Sequence, residues 1–147
     1  MEEIDTARLA LEQLQQKIRT GADGEEALWQ TVIAWQNRRF YTSSGLPFSY
    51  TVKCKRNGQY SGELLISRKE GSKTLTRSSV MLAFHTVLEH MEQAGENRNP
   101  PLYKGPKSIG KIFGISYVYS LFWSWGLIRV PEKVAEKLLG QGGSIDT

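Results

Sequence analysis

The sequence predicts one α+β domain over residues 1–139, with 140–147 as a flexible tail. Its centre is a small three-stranded antiparallel sheet at about 40–69, packed against four to five helices. Three observations carry this reading. Apolar residues recur at helical spacing in the first 38 residues and again over 77–93. Between them, residues 40–69 alternate apolar and polar with period two around Asn57-Gly58. Farther on, the seventeen residues from Ile112 to Ile128 carry no charge. At 147 residues the chain is long enough to build one core without staples, and hydrophobic and charged shares of 39% and 23% argue against wholesale disorder.

A first helix is expected over 3–19, where Ile4, Ala7, Leu11, Leu14 and Ile18 alternate three and four apart. Two heptads are too short for an independent coiled coil, so the stripe is expected to pack within the domain, although a homodimer seam has the same pattern. Gly21 ends this helix. Asp23 and Glu26 form a capping-box variant for a second helix over about 24–38, with Leu28, Val32 and Trp35 buried. Arg38 and Arg39 then suit its negative pole.

The period changes at Phe40. "FYT" is a short strand and "SSGLP" a turn. "FSYTVKCKR" puts Phe48, Tyr50, Val52 and Cys54 on one face, and the hairpin returns as "YSGELLISRK". A strict two-residue loop sets Glu63 against Val52. One more loop residue pairs Tyr50 with Ile66 and Val52 with Leu64, and brings Lys53 opposite Glu63, so this register is preferred. Cys54 is then a buried thiol. "EGSKTL" leads into a third helix over 77–93, "ENRNPPLYKGPK" is a polar linker, and further helices cover much of 107–127 and 131–139.

The uncharged run has three readings. As a helix it spans roughly 25 Å, and the hydrocarbon core needs about 20 apolar residues, so no membrane partner is expected. Gly110, Gly114, Ile115 and Ser116 match the turn of a helix-turn-helix unit, but Ser120 falls where that unit buries an apolar residue. The preferred reading is a core helix in which Leu121, Phe122, Trp125 and Ile128 are buried.

Catalytic chemistry is not apparent. His85 and His90 stand five apart with no third ligand, so no metal is expected; His85 and Glu89 are spaced to meet on one face. Neither nucleotide-binding glycine motif occurs. The "TSSG" at 42–45 is able to offer N–H groups to a phosphate, and turn chemistry explains it equally. No cofactor and no enzymatic activity is expected. The single Cys54 and the absence of a continuous apolar leader point to a reducing cytoplasm.

Charge is the remaining signal. The net charge is +4, and residues 38–77 hold nine basic and two acidic side chains, while 100–129 hold Lys104, Lys107, Lys111 and Arg129 and no acid. Such blocks attract an acidic partner in a way that the average charge does not. The order of strand, hairpin, basic turn and helix over about 40–93 resembles, in topology alone, the three-stranded DNA-binding modules of some integrase arms and plant transcription factors. The expectation is a small, bacterial-type nucleic-acid-binding protein, DNA before RNA. Its contacts are Lys53, Lys55, Arg56, Arg68, Lys69, Lys73 and Arg77 on the sheet face and turn, extended by Lys107 and Lys111. The alternative is an inhibitor or adaptor that meets a protein partner through an aromatic patch on the 117–125 helix, or offers the same lysines to an acidic protein surface.

Overall fold

A computed structural model describes residues 5–95 and 98–140. The order is α1 (Thr6–Thr20), α2 (Glu25–Ala34), β1 (Phe40–Tyr41), β2 (Pro47–Cys54), β3 (Tyr60–Arg68), β4 (Gly71–Thr76), α3 (Arg77–Ala94), α4 (Ile115–Ser124) and α5 (Glu132–Leu138). The class is the expected α+β, with one antiparallel sheet in the order β1-β2-β3-β4. The predicted start of α1 and the predicted tail from 141 onward lie outside the described residues.

The preferred hairpin register is the one found. Tyr50 pairs with Ile66 and Val52 with Leu64. Lys53 Nζ lies 3.4 Å from Glu63 Oε1. Two expectations fail beside it. The register shifts between Val52 and Cys54, which breaks the alternation, and Cys54 is exposed rather than inward. The sheet also has four strands, not three. "GSKTLT" is β4, with Leu75 opposite Leu64 and Ser72 opposite Ser67. Its one large apolar residue concealed the alternation. A two-residue turn, Lys69-Glu70, joins it to β3.

Phe48, Tyr50, Val52, Leu64, Ile66 and Leu75 form the apolar sheet face and are all buried. The Tyr50 hydroxyl donates to Val32 O at 2.6 Å, which ties β2 to α2. Burial raises the Tyr50 pKa far above the ordinary tyrosine value, with the Arg38 charge opposing weakly. α2 ends at Ala34, four residues earlier than the spacing predicts. The chain instead hooks onto β2: Asn37 N–H donates to Tyr50 O at 2.8 Å, and Gln36 Oε1 accepts from Val52 N–H at 3.0 Å. Arg38 therefore lies outside the helix, stacked 4.5 Å over the Trp35 ring. Nor does Asp23 cap α2 in the expected box. Gly24 is the cap residue, and Asp23 Oδ1 accepts from Glu25 N–H in a local turn.

The uncharged run is a core helix, but a shorter one than 107–127. Pro106–Ser108 form a single 3-10 turn, and Gly114, at φ 75°, starts α4. A Cβ on Gly114 would stand 2.5 Å from Leu75 Cδ1, so glycine lets α4 begin against the sheet. Leu121, Phe122, Trp125 and Ile128 are buried as expected. Trp35 is only half-buried and packs edge-on to Trp125 at 6.4 Å. Ser120 is buried because its hydroxyl donates to Tyr41 O at 2.6 Å. Ser120 thus allows a close approach of α4 to β1. Residues 98–105 are less free than a linker. Tyr103 N–H donates to Arg129 O and Arg129 N–H to Pro101 O, and Tyr103 is buried.

Candidate nucleic-acid interface

The register assigns side chains to faces, because residues directly opposite in an antiparallel pair share a face. On the outer face stand Ser49, Ser67 and Ser72 in one row and Thr51, Leu65 and Thr74 in the next. Hydroxyls dominate this surface. Among the described residues Lys53 is its one cation, and that charge is engaged by Glu63 and by Thr74 Oγ1 at 3.1 Å. The face expected to be basic is therefore mainly a serine-threonine surface.

The other predicted contacts divide between the two ends of the sheet. Lys55 and Arg56 are exposed in the β2–β3 loop. Arg77 follows Thr76, which pairs with Glu63, so it lies between that end and the other. Its guanidinium lies 5.1 Å over the Trp29 ring and 3.8 Å from Glu26 Oε1. At the opposite end are Arg68, Lys69 and Lys73. Arg68 pairs with Phe48 and Lys73 with Ile66, both inner-face residues. Accordingly Arg68 Nη1 donates to Tyr117 Oη at 2.8 Å, and Lys73 Nζ stands 4.9 Å over the Phe113 ring. Phe113 is 58% exposed, so this contact is at the surface. Lys111, two residues earlier, and Lys107, in the 3-10 turn, are exposed. Lys69, Lys73, Lys107 and Lys111 form no ion pair among the described residues. The structure brings Arg68, Lys69 and Lys73 together, sets Lys55 and Arg56 a sheet-length away, and leaves Arg77 between them, four residues along the chain from Lys73. A nine-residue β3 separates Lys55 and Arg56 from the β3–β4 turn by roughly 25 Å.

A cleft of about 220 Å³ opens beside the β3–β4 turn. One wall is Arg68, Lys69 and Glu70, another is the β1–β2 loop, and Ser116 and Tyr117 close it. The 42–45 loop is not a cradle of N–H groups. Thr42 Oγ1 accepts from Ser44 N–H and Leu46 N–H at 3.3 and 3.2 Å, and Thr42 O accepts from Gly45 N–H at 2.8 Å. With Thr42 N–H donating to Leu46 O at 2.9 Å, turn chemistry consumes three of the four N–H groups. What the loop offers is its hydroxyls. Tyr117 escaped the sequence reading because its helix was read as core, and Ser116 was matched there only to the turn of a helix-turn-helix unit.

The remaining titratable groups pair differently from their sequence spacing. His85 Nε2 meets Glu25 Oε2 on α2 at 2.5 Å, rather than Glu89. His90 Nδ1 lies 2.6 Å from Tyr103 Oη. Burial pushes Tyr103 and Tyr119 up to about 12. Among the described residues, no group of three His, Cys, Asp or Glu side chains is placed to hold a metal, and no helix is long and apolar enough to cross a membrane. Comparison with protein-family models, curated proteins and solved structures finds no match to this chain.

Proposed function

We propose that this protein binds nucleic acid through its phosphates, using the β3–β4 end of the sheet and the adjoining 104–113 segment rather than the outer sheet face. The observation that carries the reading is the set Lys69, Lys73 and Lys111. These are cations at one end of the molecule, without carboxylate partners among the described residues, and two of them flank the surface-exposed Phe113. Phosphate recognition needs such undischarged cations, whereas a lysine already paired, as Lys53 is, adds less. The second support is negative for the competing reading. Tyr117, Tyr119, Leu121, Phe122 and Trp125 are buried, so the aromatic helix presents no large patch to a protein partner.

Binding to mixed-sequence duplex DNA, measured as a function of salt, tests the proposal. The logarithm of affinity should fall linearly with the logarithm of salt. In a Lys69→Ala, Lys73→Ala, Lys111→Ala variant the slope should drop by roughly 0.9 for each phosphate that is no longer neutralised. Lys53→Ala should leave the slope unchanged. Absence of salt-dependent binding to DNA or RNA at low ionic strength overturns the proposal. An altered slope in Lys53→Ala would return the binding surface to the sheet face.

A further inference from the structure

We infer that the cleft between the β1–β2 loop, the β3–β4 turn and the first turn of α4 binds a terminal phosphate, a phosphate monoester carried by a small molecule or by the end of a nucleic-acid strand. The inference goes beyond the contacts proposed above. It stands on the cleft itself and shares only Lys69 with that surface.

Size comes first. At about 220 Å³ the cleft is smaller than the roughly 300–1,000 Å³ of sites for drug-sized ligands, so it suits a headgroup rather than a large molecule. Charge comes next. The Arg68 guanidinium is held before any ligand arrives, by Nη1 to Tyr117 Oη at 2.8 Å and by Nε to Gly71 O at 3.2 Å. Its Nη2 makes no hydrogen bond among the described residues. A planar cation already fixed in place loses little entropy when it meets an anion. Lys69, exposed in the turn, adds a second positive charge.

Donors then distinguish the ligand. The hydroxyl-bearing residues Ser43 and Ser44 line the cleft from the β1–β2 loop and Ser116 lines it from α4. None of these three hydroxyls is hydrogen-bonded among the described residues. Thr42 Oγ1, by accepting two backbone N–H groups, holds the loop that carries the first two. Donors therefore approach from three elements. A carboxylate has two oxygens in one plane and a single charge. A phosphate monoester has three terminal oxygens and a charge of about −1.5 to −2 at neutral pH, which matches two cations and donors on several sides. Leu46 and Pro47 supply an apolar wall for the organic part of the ester. Glu70 opposes the ligand. Its carboxylate is 3.8 Å from Arg68 Nη1 and 70% exposed at the rim, so a bound phosphate displaces it.

The test is an amide chemical-shift titration of the full chain with AMP, inorganic phosphate and adenosine at matched ionic strength. AMP and phosphate should move the signals of Ser43, Lys69 and Ser116, and adenosine should not. Lys69→Gln should weaken AMP binding about threefold and Arg68→Gln about tenfold, as expected for loss of charge-assisted hydrogen bonds. Glu70→Gln should tighten it about twofold by removing a like charge. Because Arg68 also joins the sheet to α4, the two surface variants decide the matter if Arg68→Gln fails to fold. Shifts that adenosine reproduces, or no shifts at millimolar phosphate, overturn the inference. So do unchanged affinities in both Lys69→Gln and Glu70→Gln. A 5′-phosphorylated oligonucleotide compared with its 5′-hydroxyl form separates the sources. Tighter binding of the phosphorylated strand assigns the site to strand ends; AMP binding with no such preference assigns it to small molecules. If both oligonucleotides bind alike and AMP shifts nothing, the cleft inference fails and the phosphate-backbone reading stands. If AMP binds and neither oligonucleotide does, the reverse holds.

Discussion

The two faces of the sheet are made by the same four strands and do opposite things. The inner face is Phe48, Tyr50, Val52, Leu64, Ile66 and Leu75, buried under helices. The outer face is Ser49, Thr51, Ser67, Ser72 and Thr74 with Leu65 and the Lys53–Glu63 pair. Stability should depend on the first face and tolerate change on the second. The difference also shows where charge is able to sit. Side chains that alternate along a strand are placed by the sheet, whereas cations at strand ends and turns are placed by whatever packs beside them. Arg68 and Lys73 both lean to the inner side, where Tyr117 and Phe113 receive them.

The largest expected effect is on the inner side of that comparison. Phe122, buried beneath the sheet and edge-on to Phe84 at 6.4 Å, should lose about 3–5 kcal/mol on truncation to Ala. Ser67→Ala, on the open face, should stay within about 0.5 kcal/mol. Chemical denaturation of both variants checks the contrast, and similar losses would break it. Tyr50→Phe comes next. It removes the buried hydroxyl that donates to Val32 O and should cost about 1–3 kcal/mol, because the carbonyl is left without that donor.

Alkaline titration sharpens the same contrast. The phenols of Tyr103 and Tyr119 ionise near 12 in the folded chain, against 10.0 when unfolded. Between those values the native state holds more protons than the unfolded one. Their contribution to stability is therefore whole below about pH 10 and is lost as pH rises toward 12. Ultraviolet titration of tyrosinate should show Tyr50, Tyr103 and Tyr119 ionising late, above the ordinary tyrosine value. A single uniform step, with no loss of stability above pH 10, would contradict the burial. The smallest effect is Lys53→Ala. It removes an exposed ion pair and should cost no more than about 1 kcal/mol in the same denaturation measurement.

Much of the fold was legible because burial writes itself in periodicity. The hairpin register followed from a single conflict, Glu63 facing Val52, that one extra loop residue resolves. The core position of Leu121, Phe122 and Trp125 followed from a run too short to span a bilayer. What escaped was local. In β4, polar Ser72, Lys73 and Thr74 surround one leucine, which is too little alternation to announce a strand. Cys54 turned outward because of a register shift that no residue type signals. α2 stopped early because Asn37 and Gln36 found partners on β2, and such tertiary hydrogen bonds leave no trace in spacing. The candidate site was legible as a count of cations but not as an arrangement, since Tyr117, the partner that fixes Arg68, lies 49 residues away in sequence.

Thr76 is the last residue of β4 and also the cap of α3, its hydroxyl accepting from Ser79 N–H at 3.2 Å. No residue separates the strand from the helix. The pairing of β4 therefore sets the rotational phase of α3. Each residue added at this junction would turn the helix by about 100° and carry Val80, Phe84 and Val87 off the core. Strand and helix behave as one rigid lever, so the chain should reject insertions between Thr76 and Arg77 while accepting them at the exposed tip of the β2–β3 loop.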